Sequence, residues 1–324
     1  MGATLLRLTS PDAGALRAAL AADVREGLTA TPRRLPSKWL YDARGSALFD
    51  GITRTPEYYL TRTEAAILAD RADEIVAAVE PAQIVEIGSG SARKTRLLLE
   101  ALHRHRTGRV YVPFDVSAEA VAAASAALAA DYPWLDVQAV VGDFHEHLHE
   151  VPRAGRRLVA CLGSTIGNFP DDGQVALLTD LAGMLEDGDA LLLGADLVKD
   201  RRVLEAAYDD AAGVTAAFTM NLVTVLQREL GADIDVGALR HVARWEPAPA
   251  WIEIALQAVH ATVLRFPTLD FAVALEAGEM IRTEVSAKYT RATLADRLDA
   301  AGLALRAWHT DPAGWFALAV AARA

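Results

Sequence analysis

IVEIGSGSARK, at residues 84–94, joins a short apolar run to a glycine-containing turn and then to a helical pattern. An apolar run of this length predicts a buried strand. Glycines after such a strand let the backbone approach a ligand at the N-terminus of the next helix. The segment therefore predicts a strand–turn–helix unit with Gly88 and Gly90 as candidate ligand contacts, although the same turn also occurs without a ligand.

The chain around this unit alternates between helical and strand-like patterns from residue 60 to residue 195. Strands separated by helices of about 10–15 residues favour a parallel α/β sheet with right-handed crossovers. The alternation breaks after Asp196, where residues 202–230 show a helical pattern and residues 239–265 resemble antiparallel strands. It resumes with a helix at 293–301, which a final hairpin follows.

These patterns predict an α/β fold, in which a Rossmann-like sheet domain is interrupted by an inserted α+β domain. The final hairpin resembles the end of the seven-stranded sheet of class I methyltransferases, and we expect that form of the fold. We expect the sheet domain, which binds the cofactor, at residues 62–196 and 287–324. The insertion at residues 197–286 is expected to pack with residues 1–61 and to bind the substrate.

Two further strand ends carry acidic residues. Asp115 follows an apolar run 25 residues beyond Gly90, a position from which a carboxylate accepts hydrogen bonds from ribose hydroxyls. Asp143 and Phe144 follow the next strand, where a carboxylate can hold an adenine amino group and a ring can cover the base. A single Asp is more often a turn residue or a helix cap, but three matches at successive strand ends indicate a nucleoside-type cofactor. Arg93 replaces the third glycine of a dinucleotide fingerprint, which together with the final hairpin favours S-adenosylmethionine over NAD.

Only four of the 32 basic residues are lysines: Lys38, Lys94, Lys199 and Lys288. Either the genome prefers arginine codons, or the remaining lysines supply a compact ammonium group that arginine cannot. Lys94 falls in the first turn or two of the helix after the glycine turn, where the helix dipole disfavours a cation. We therefore expect Lys94 to pair with the methionyl carboxylate of the cofactor or with a nearby acid.

The composition excludes several classes of function. Asp and Glu outnumber Lys and Arg by 43 to 32, and a formal charge of −11 disfavours nucleic acid as a partner. The single cysteine excludes an internal disulfide, the first residues lack a signal-peptide pattern, and no apolar run is long enough to span a membrane. We therefore expect a cytoplasmic monomer with no membrane partner. The HEHLH run at 145–149 is interpreted as a solvated loop or helix start, so no metal site is expected.

Five motifs outside the glycine turn are distinctive. They are PSKWLYD at 36–42, GSALFD at 45–50, TPEYYLTR at 55–62, LGSTIGNF at 162–169 and EVSAK at 284–288. Together they resemble the histidine-specific Nα-methyltransferases of ergothioneine biosynthesis, in order and spacing, from about residue 33 to the C-terminus. The resemblance implies an enzyme that trimethylates the α-amino group of L-histidine to hercynine and uses three molecules of S-adenosylmethionine.

The resemblance also implies roles for individual positions. Those implied for the cofactor are Gly88, Lys94, Asp115, Asp143 and Phe144. Those implied for the substrate are Tyr41, Tyr58, Gly163, Asn168, Tyr208, Glu284 and Ser286. Within the second set, Tyr58, Asn168 and Tyr208 would hold the carboxylate and the amine, and Glu284 and Ser286 would contact the imidazole. Tyr41 and Gly163 would lie near the amine.

Methyl transfer requires a neutral amine lone pair about 3 Å from the methyl carbon, so positioning dominates the chemistry. An α-amine titrates near pH 8, so only modest protonation has to be removed near neutrality. Tyr41 and Asn168 are the candidate catalytic residues, as acceptors that orient the lone pair.

Two positions depart from the family pattern. Ile254 stands where the family often has Met, and Ala287 stands where it often has Cys. These departures leave open the N-methylation of another amino acid or of an aromatic amine. The tyrosines of the candidate site could also be ordinary core residues, and a non-catalytic module that binds S-adenosylmethionine is a further alternative.

Overall fold

The computed structural model describes residues 4–8, 13–90, 92–142 and 144–324. The chain divides into two units. The sheet unit comprises the described residues of Met1–Ser10, Leu60–Val198 and Lys288–Ala324. The insertion unit comprises those of Pro11–Tyr59 and Lys199–Ala287.

Thirteen strands and ten α-helices form within the described residues. The strands are β1 (Thr4–Arg7), β2 (Gln83–Ile87), β3 (Val110–Asp115), β4 (Asp136–Val141), β5 (Arg157–Cys161), β6 (Ala190–Asp196), β7 (Leu239–Glu246), β8 (Trp251–Ala258), β9 (Thr262–Phe266), β10 (Phe271–Leu275), β11 (Met280–Ala287), β12 (Leu303–Thr310) and β13 (Phe316–Arg323). The helices are α1 (Ala13–Thr29), α2 (Ala43–Ile52), α3 (Leu60–Val79), α4 (Thr95–His105), α5 (Ala118–Asp131), α6 (Phe144–His147), α7 (Asp171–Gly183), α8 (Arg201–Tyr208), α9 (Val214–Leu230) and α10 (Arg291–Ala300). None of these described helices combines the length and the apolar character that crossing a lipid bilayer requires.

The sheet unit is built on an eight-stranded sheet with the strand order β1-β4-β3-β2-β5-β6-β13-β12. Neighbouring strands from β1 to β6 pair in parallel, whereas β13 runs antiparallel to both β6 and β12. Strands β2, β5 and β6 are buried along their whole length, as expected for a parallel sheet that is covered on both faces. The α/β fold class and the final antiparallel hairpin are confirmed.

The N-terminal strand differs from the expectation. Seven strands are expected from the sequence, with residues 1–61 packed on the insertion, but Thr4–Arg7 forms an eighth strand parallel to residues 138–141 of β4. This strand pairs the backbone N–H and C=O groups at an edge of β4 that would otherwise be unpaired. All four of its residues are exposed, so no alternation of apolar and polar residues marks the pairing in the sequence.

The topology positions the loops of the candidate site. Because β2, β3, β4 and β5 run in parallel, their carboxyl ends lie at the same edge of the sheet. The glycine turn follows β2, Asp115 ends β3, and Gly163 follows shortly after β5. Helix α4 begins at Thr95, one residue later than the sequence pattern predicts, a difference within the ordinary uncertainty of helix ends.

The insertion unit combines helices with two small antiparallel sheets. Its three-stranded sheet has the order β11-β8-β7, and β9 and β10 form a separate pair. The helical pattern at residues 202–230 forms two helices, because Gly213 between them adopts a left-handed φ of +72°. The turn at residues 247–249 joins β7 to β8, as predicted.

Candidate active site

The glycine turn after β2 leaves open space beside its backbone. Gly88 and Gly90 have φ values of +69° and +47°, in the left-handed region that glycine adopts without strain. Apart from the glycine itself and its two chain neighbours, no described heavy atom lies within 4 Å of the position that a Cβ would take on either residue. Between them, Ser89 is 5% exposed, and its Oγ has no hydrogen-bond partner among the described residues. An open backbone with an unsatisfied buried hydroxyl fits a polar ligand such as the predicted adenosyl cofactor.

Asp115, the predicted ribose contact, also holds the glycine turn. Its Oδ2 accepts a hydrogen bond from the backbone N–H of Gly90 at 3.0 Å, and its Oδ1 accepts one from Ser117 at 3.0 Å. Each carboxylate oxygen has a further lone pair for a ligand hydroxyl. Asp143 lies outside the described residues, and so does the side chain of Phe144, so their contacts with adenine stay predictions.

Lys94 and Gly163 meet at one buried carboxylate. Lys94 immediately precedes α4, and its ammonium group forms an ion pair with Glu64 of α3, whose side chain is fully buried. Gly163 donates its backbone N–H to the same carboxylate, 2.8 Å from Oε1. The expectation that Lys94 pairs with a nearby acid is therefore confirmed. The structure also brings Lys94, in the segment after β2, and Gly163, in the loop after β5, to the same carboxylate.

The loop after β5 also contacts the end of β6. Ser164 has a left-handed φ of +60°, and its Oγ accepts a hydrogen bond from the backbone N–H of Asp196 at 3.0 Å. Asp196 in turn forms a 2.9 Å ion pair with Lys288, and both side chains are fully buried. Asn168 lies half-buried at the end of the 3-10 turn that follows. These contacts therefore hold the loop that carries Asn168 against β6.

Burial raises the pKa of three side chains on the central strands, Glu86, Tyr111 and Cys161. It raises the pKa of Glu86 to about 7, and the Tyr111 hydroxyl donates a 2.5 Å hydrogen bond to this carboxyl group. Burial also raises the pKa of the Cys161 thiol to about 12. The thiol is therefore protonated near neutrality and packs as a small core residue, as its place on a buried strand predicts.

Five aromatic side chains of the insertion unit form a contiguous group, which we call the aromatic cluster: Tyr41, Phe49, Tyr58, Tyr208 and Phe218. The ring of Tyr41 meets those of Phe49 and Phe218 edge to face, with centroid distances of 5.7 and 5.2 Å. Tyr58 lies 6.3 Å from Phe49 and 6.0 Å from Tyr208. The three predicted tyrosines therefore lie in one aromatic environment.

Polar groups adjoin the aromatic cluster. The Tyr208 hydroxyl and the Ser286 Oγ are hydrogen-bonded at 2.7 Å. Burial raises the pKa of Tyr41 well above its usual value, and the negative charge of Glu284 adds to this effect, although 36% of the residue is exposed. The Tyr41 hydroxyl is therefore protonated near neutrality. It can orient a ligand through a hydrogen bond, but it is not a tyrosinate base.

His241 of β7 fixes the end of α8. Its Nε2 lies 2.8 Å from the backbone carbonyl oxygen of Tyr208, and its Nδ1 lies 3.0 Å from Thr219 Oγ1. Because a carbonyl oxygen only accepts hydrogen bonds, Nε2 carries a proton. Burial lowers the pKa of His241, so the ring is neutral near pH 7 and positions Tyr208 without adding charge.

The two departures from the family pattern lie on neighbouring strands, Ile254 on β8 and Ala287 on β11. Ile254 is directly opposite Glu284 in the antiparallel register and is 1% exposed. Cross-strand partners lie on the same face of a sheet, so Ile254 neighbours the predicted imidazole contact. Ala287 is also buried, but it pairs with Trp251 at the end of β11.

Sequence reasoning missed four residues that organise these groups. Phe49 and Phe218 complete the aromatic cluster, Glu64 binds Lys94, and His241 supports Tyr208. Phe49 carried a signal, because it lies inside the distinctive GSALFD motif. The others carried none, because each contacts a residue that is distant along the chain.

Comparison with known proteins identifies the family. A sequence model of the family described as "Histidine-specific methyltransferase, SAM-dependent" matches residues 20–323. The histidine N-alpha-methyltransferase of Mycolicibacterium smegmatis is 52% identical over 305 residues, which cover 94% of this chain and 95% of the relative. The enzyme of the same name from Mycobacterium tuberculosis is 50% identical over 312 residues, 96% of this chain and 97% of the relative. Ergothioneine biosynthesis protein 1 of Neurospora crassa is 34% identical over 195 residues, 59% of this chain and 22% of that protein. The chain therefore belongs to the family of histidine-specific methyltransferases that depend on S-adenosylmethionine.

Proposed function

We propose that this protein transfers methyl groups from S-adenosylmethionine to the α-amino group of L-histidine until the amine is trimethylated, which yields hercynine. The observation that carries the substrate assignment is the set of groups in the insertion unit. There, the aromatic cluster adjoins the hydrogen-bonded pair of Tyr208 and Ser286, and the Glu284 carboxylate is close enough to raise the pKa of Tyr41. Two relatives that match nearly the whole chain are named for this activity.

The sheet unit is proposed to hold the cofactor. Gly88, Gly90 and Asp115 would surround its nucleoside portion, and the Lys94 ammonium group would pair with its carboxylate. When bound, S-adenosylmethionine supplies an electrophilic methyl group on a positively charged sulfur. The groups present fit such a ligand, because the glycine turn leaves space beside its backbone and Ser89 offers an unsatisfied hydroxyl.

The insertion unit is proposed to bind histidine. An imidazole N–H that donates to the Glu284 carboxylate would form a charge-assisted hydrogen bond, and Ser286 would contact the other side of the ring. A substrate without a polar ring could not form this hydrogen bond, which is the source of selectivity. Tyr58 and Tyr208 would hold the α-carboxylate and the amine, and the family resemblance implies the same role for Asn168 of the sheet unit.

Tyr41 is proposed to orient the amine, and the family resemblance implies the same role for Asn168 and a contact with the amine for Gly163. Since the Tyr41 hydroxyl is protonated near neutrality, its role is to accept a hydrogen bond from the amine, not to remove a proton as a tyrosinate. The amine loses its proton to solvent, which costs little close to its ordinary pKa of about 8. After the third methyl group no lone pair remains, so the reaction stops.

The aromatic cluster suits a substrate that becomes a quaternary ammonium. Aromatic faces attract cations, and quaternary ammonium groups are recognised by aromatic cages. Each methyl group also makes the amine larger and more apolar, so aromatic surroundings tolerate the successive intermediates better than a ring of hydrogen-bond acceptors would. The cluster therefore supports repeated methylation of one nitrogen.

We also propose that the protein acts as a cytoplasmic monomer in the pathway that leads to ergothioneine. One chain carries all the residues assigned to cofactor and substrate, which supports a monomer. The name of the N. crassa relative supports the pathway. Light scattering of the purified protein tests the monomer, and a stable dimer would contradict it.

The decisive experiment supplies the protein with S-adenosylmethionine and each of the twenty amino acids in turn and measures product masses. We expect histidine to gain three methyl groups and the other amino acids to react far more slowly. Activity on tryptophan or tyrosine alone would refute the histidine assignment. Binding of the cofactor without its consumption, whichever amino acid is present, would indicate a non-catalytic binding module.

A further inference from the structure

Glu64 is a buried charge of the sheet unit to which the predicted site assigns no role. It lies near the start of α3, and its side chain is 0% exposed. Burying a carboxylate is costly, and replacing a buried ion pair with apolar side chains often leaves stability unchanged or improves it. Stability alone therefore gives little reason for a carboxylate at this position.

The partners of Glu64 come from two loops of the predicted cofactor site. One carboxylate oxygen, Oε2, forms the ion pair with the Lys94 ammonium group, which belongs to the segment after β2. The backbone N–H of Gly163, in the loop after β5, donates to both oxygens, at 2.8 Å from Oε1 and 3.0 Å from Oε2. A single side chain therefore connects two loops that share no sequence motif.

Two glycines make room for this arrangement. A Cβ on Gly194 of β6 would stand 2.2 Å from Glu64 Oε1, so only glycine leaves space there for the carboxylate. A Cβ on Gly163, whose φ is +76°, would stand 3.3 Å from the Lys94 Nζ. Both the carboxylate and the ammonium group therefore lie against backbone, with little freedom to move.

The ion pair leaves Lys94 able to bind a ligand. An ammonium group has three N–H donors, and Glu64 uses one of them. The Lys94 side chain is 20% exposed, so part of it remains accessible. A flexible lysine that is held in advance loses less entropy when it binds a carboxylate than a freely rotating one.

We propose that Glu64 is a positioning residue for the cofactor: it fixes the Lys94 ammonium group and the Gly163 amide in the arrangement that receives the methionyl end of S-adenosylmethionine. This inference rests on the proposed function only in that it takes the sheet unit as the cofactor site. It does not depend on which amine is methylated.

The test measures S-adenosylmethionine binding to Glu64→Gln by calorimetry, without an amino acid present. Glutamine keeps the shape of the side chain but cannot form the ion pair, so we expect the cofactor Kd to rise about tenfold or more. A carboxylate that merely lies near the ligand would repel its carboxylate, and removing that charge would tighten binding. An unchanged or lower Kd would therefore overturn the proposal.

Asp189→Asn is the matched control. Asp189 is also a fully buried carboxylate of the sheet unit, paired with Arg153 at 2.8 Å and accepting hydrogen bonds from the backbone N–H groups of Arg157 and Glu186. It precedes β6 and so lies at the amino ends of the strands. This variant should lose thermal stability while its cofactor Kd stays within about twofold of the original. A comparable rise in Kd in both variants would mean that Glu64 is only structural.

A double-mutant cycle with Lys94→Met separates positioning from general destabilisation. If Glu64 acts through Lys94, Glu64→Gln should weaken binding much less in the Lys94→Met background than in the original protein, and additive effects would contradict the proposal. Should Glu64→Gln not fold, Glu64→Asp keeps the charge but shortens its reach, and a Kd within about twofold of the original would then overturn the proposal. Cofactor binding by the original protein without histidine methylation would refute the proposed substrate and leave the role of Glu64 standing.

Discussion

Glu86 illustrates how burial changes the chemistry of one residue. It is the acidic residue of the glycine-turn motif, it is 3% exposed, and burial raises its pKa from 4.5 to about 7. The folded protein therefore holds a proton on this carboxyl group more tightly than the unfolded chain does. Ionisation of Glu86 opposes folding: the penalty is absent below about pH 4.5, grows as the pH rises, and is complete above about pH 7.

The first prediction concerns Glu86→Gln, which removes this ionisation. The free energy of unfolding of the variant should rise relative to that of the original protein as the pH rises from 5 to 8. The pKa shift of Glu86 limits this gain to roughly 3 kcal/mol. Urea unfolding of both proteins across that pH range measures the effect. Glu150→Gln, at an exposed position, is the control, and its stability relative to the original protein should not change with pH. If the stability gained by Glu86→Gln were the same at every pH, the raised pKa of Glu86 would be contradicted.

The second prediction concerns Glu284, the proposed imidazole contact. Glu284→Ala should raise the KM for histidine by about 10- to 100-fold, the value of a charge-assisted hydrogen bond, while the cofactor Kd changes less than about twofold. Steady-state kinetics and calorimetry measure the two quantities. Glu253→Ala is the control, because Glu253 lies on the neighbouring strand β8 and faces Arg282 at 3.9 Å. Equal losses of histidine and cofactor binding in Glu284→Ala would rule out the imidazole role.

At the scale of elements, the N-terminal motifs mainly build α2. Asp42 caps this helix by accepting from the backbone N–H of Gly45 at 2.8 Å, and it also accepts from Asn221 and Arg228 at 2.8 and 2.7 Å. Gly45 packs on the preceding turn, where a Cβ would stand 1.7 Å from the Leu40 carbonyl oxygen. These residues place the helix that carries Phe49, so part of the distinctive motif has a structural task.

The third prediction follows from this packing. Gly45→Ala should lower the free energy of unfolding by about 3 kcal/mol, because the added methyl group meets backbone that cannot move aside. Gly51→Ala, on the same helix, meets only the Val214 Cγ1 at 3.2 Å and should change stability by less than about 1 kcal/mol, since alanine also favours the helix. Urea unfolding of the two variants makes the comparison. If both variants lost a similar amount of unfolding free energy, close packing of Gly45 on the Leu40 carbonyl oxygen would not be the cause.

At the scale of the whole molecule, Cys161 reports on the opening of the sheet unit. It is the only cysteine of the chain, it is fully buried on β5, and burial raises its pKa to about 12. A thiol reagent needs both access and thiolate. Labelling of this residue therefore requires opening of the central sheet.

The fourth prediction is that cofactor binding slows this labelling. A ligand that binds the folded state alone, at about 100 times its Kd, lowers the open population about 100-fold. Labelling kinetics with a chromogenic disulfide, with and without S-adenosylmethionine, measure the effect. The labelling rate in denaturant should not depend on the cofactor. Fast labelling of the native protein would contradict the burial of Cys161.

Most of the sheet unit could be predicted from the sequence, because the information is local. The run from Gln83 to Ile87 is apolar and is followed by Gly88, and the structure forms the strand with these bounds. Apolar periodicity and glycine positions act over a few residues, so each strand and helix can be read by itself. The family resemblance likewise predicted Tyr41, Tyr58 and Tyr208 as site residues, and the structure places all three in the aromatic cluster.

Tertiary structure alone decided which distant residues meet. Glu64 and Lys94, His241 and Tyr208, and the pairing of β1 with β4 join segments that are separated by many residues and carry no shared pattern. Burial supplies the physical reason: a charge or a backbone amide that leaves water must find a partner, and the partner is whichever group the folded chain places beside it. The sequence by itself therefore determined the elements and the class of chemistry, whereas the arrangement that holds Lys94 and Tyr208 in place was decided only by folding.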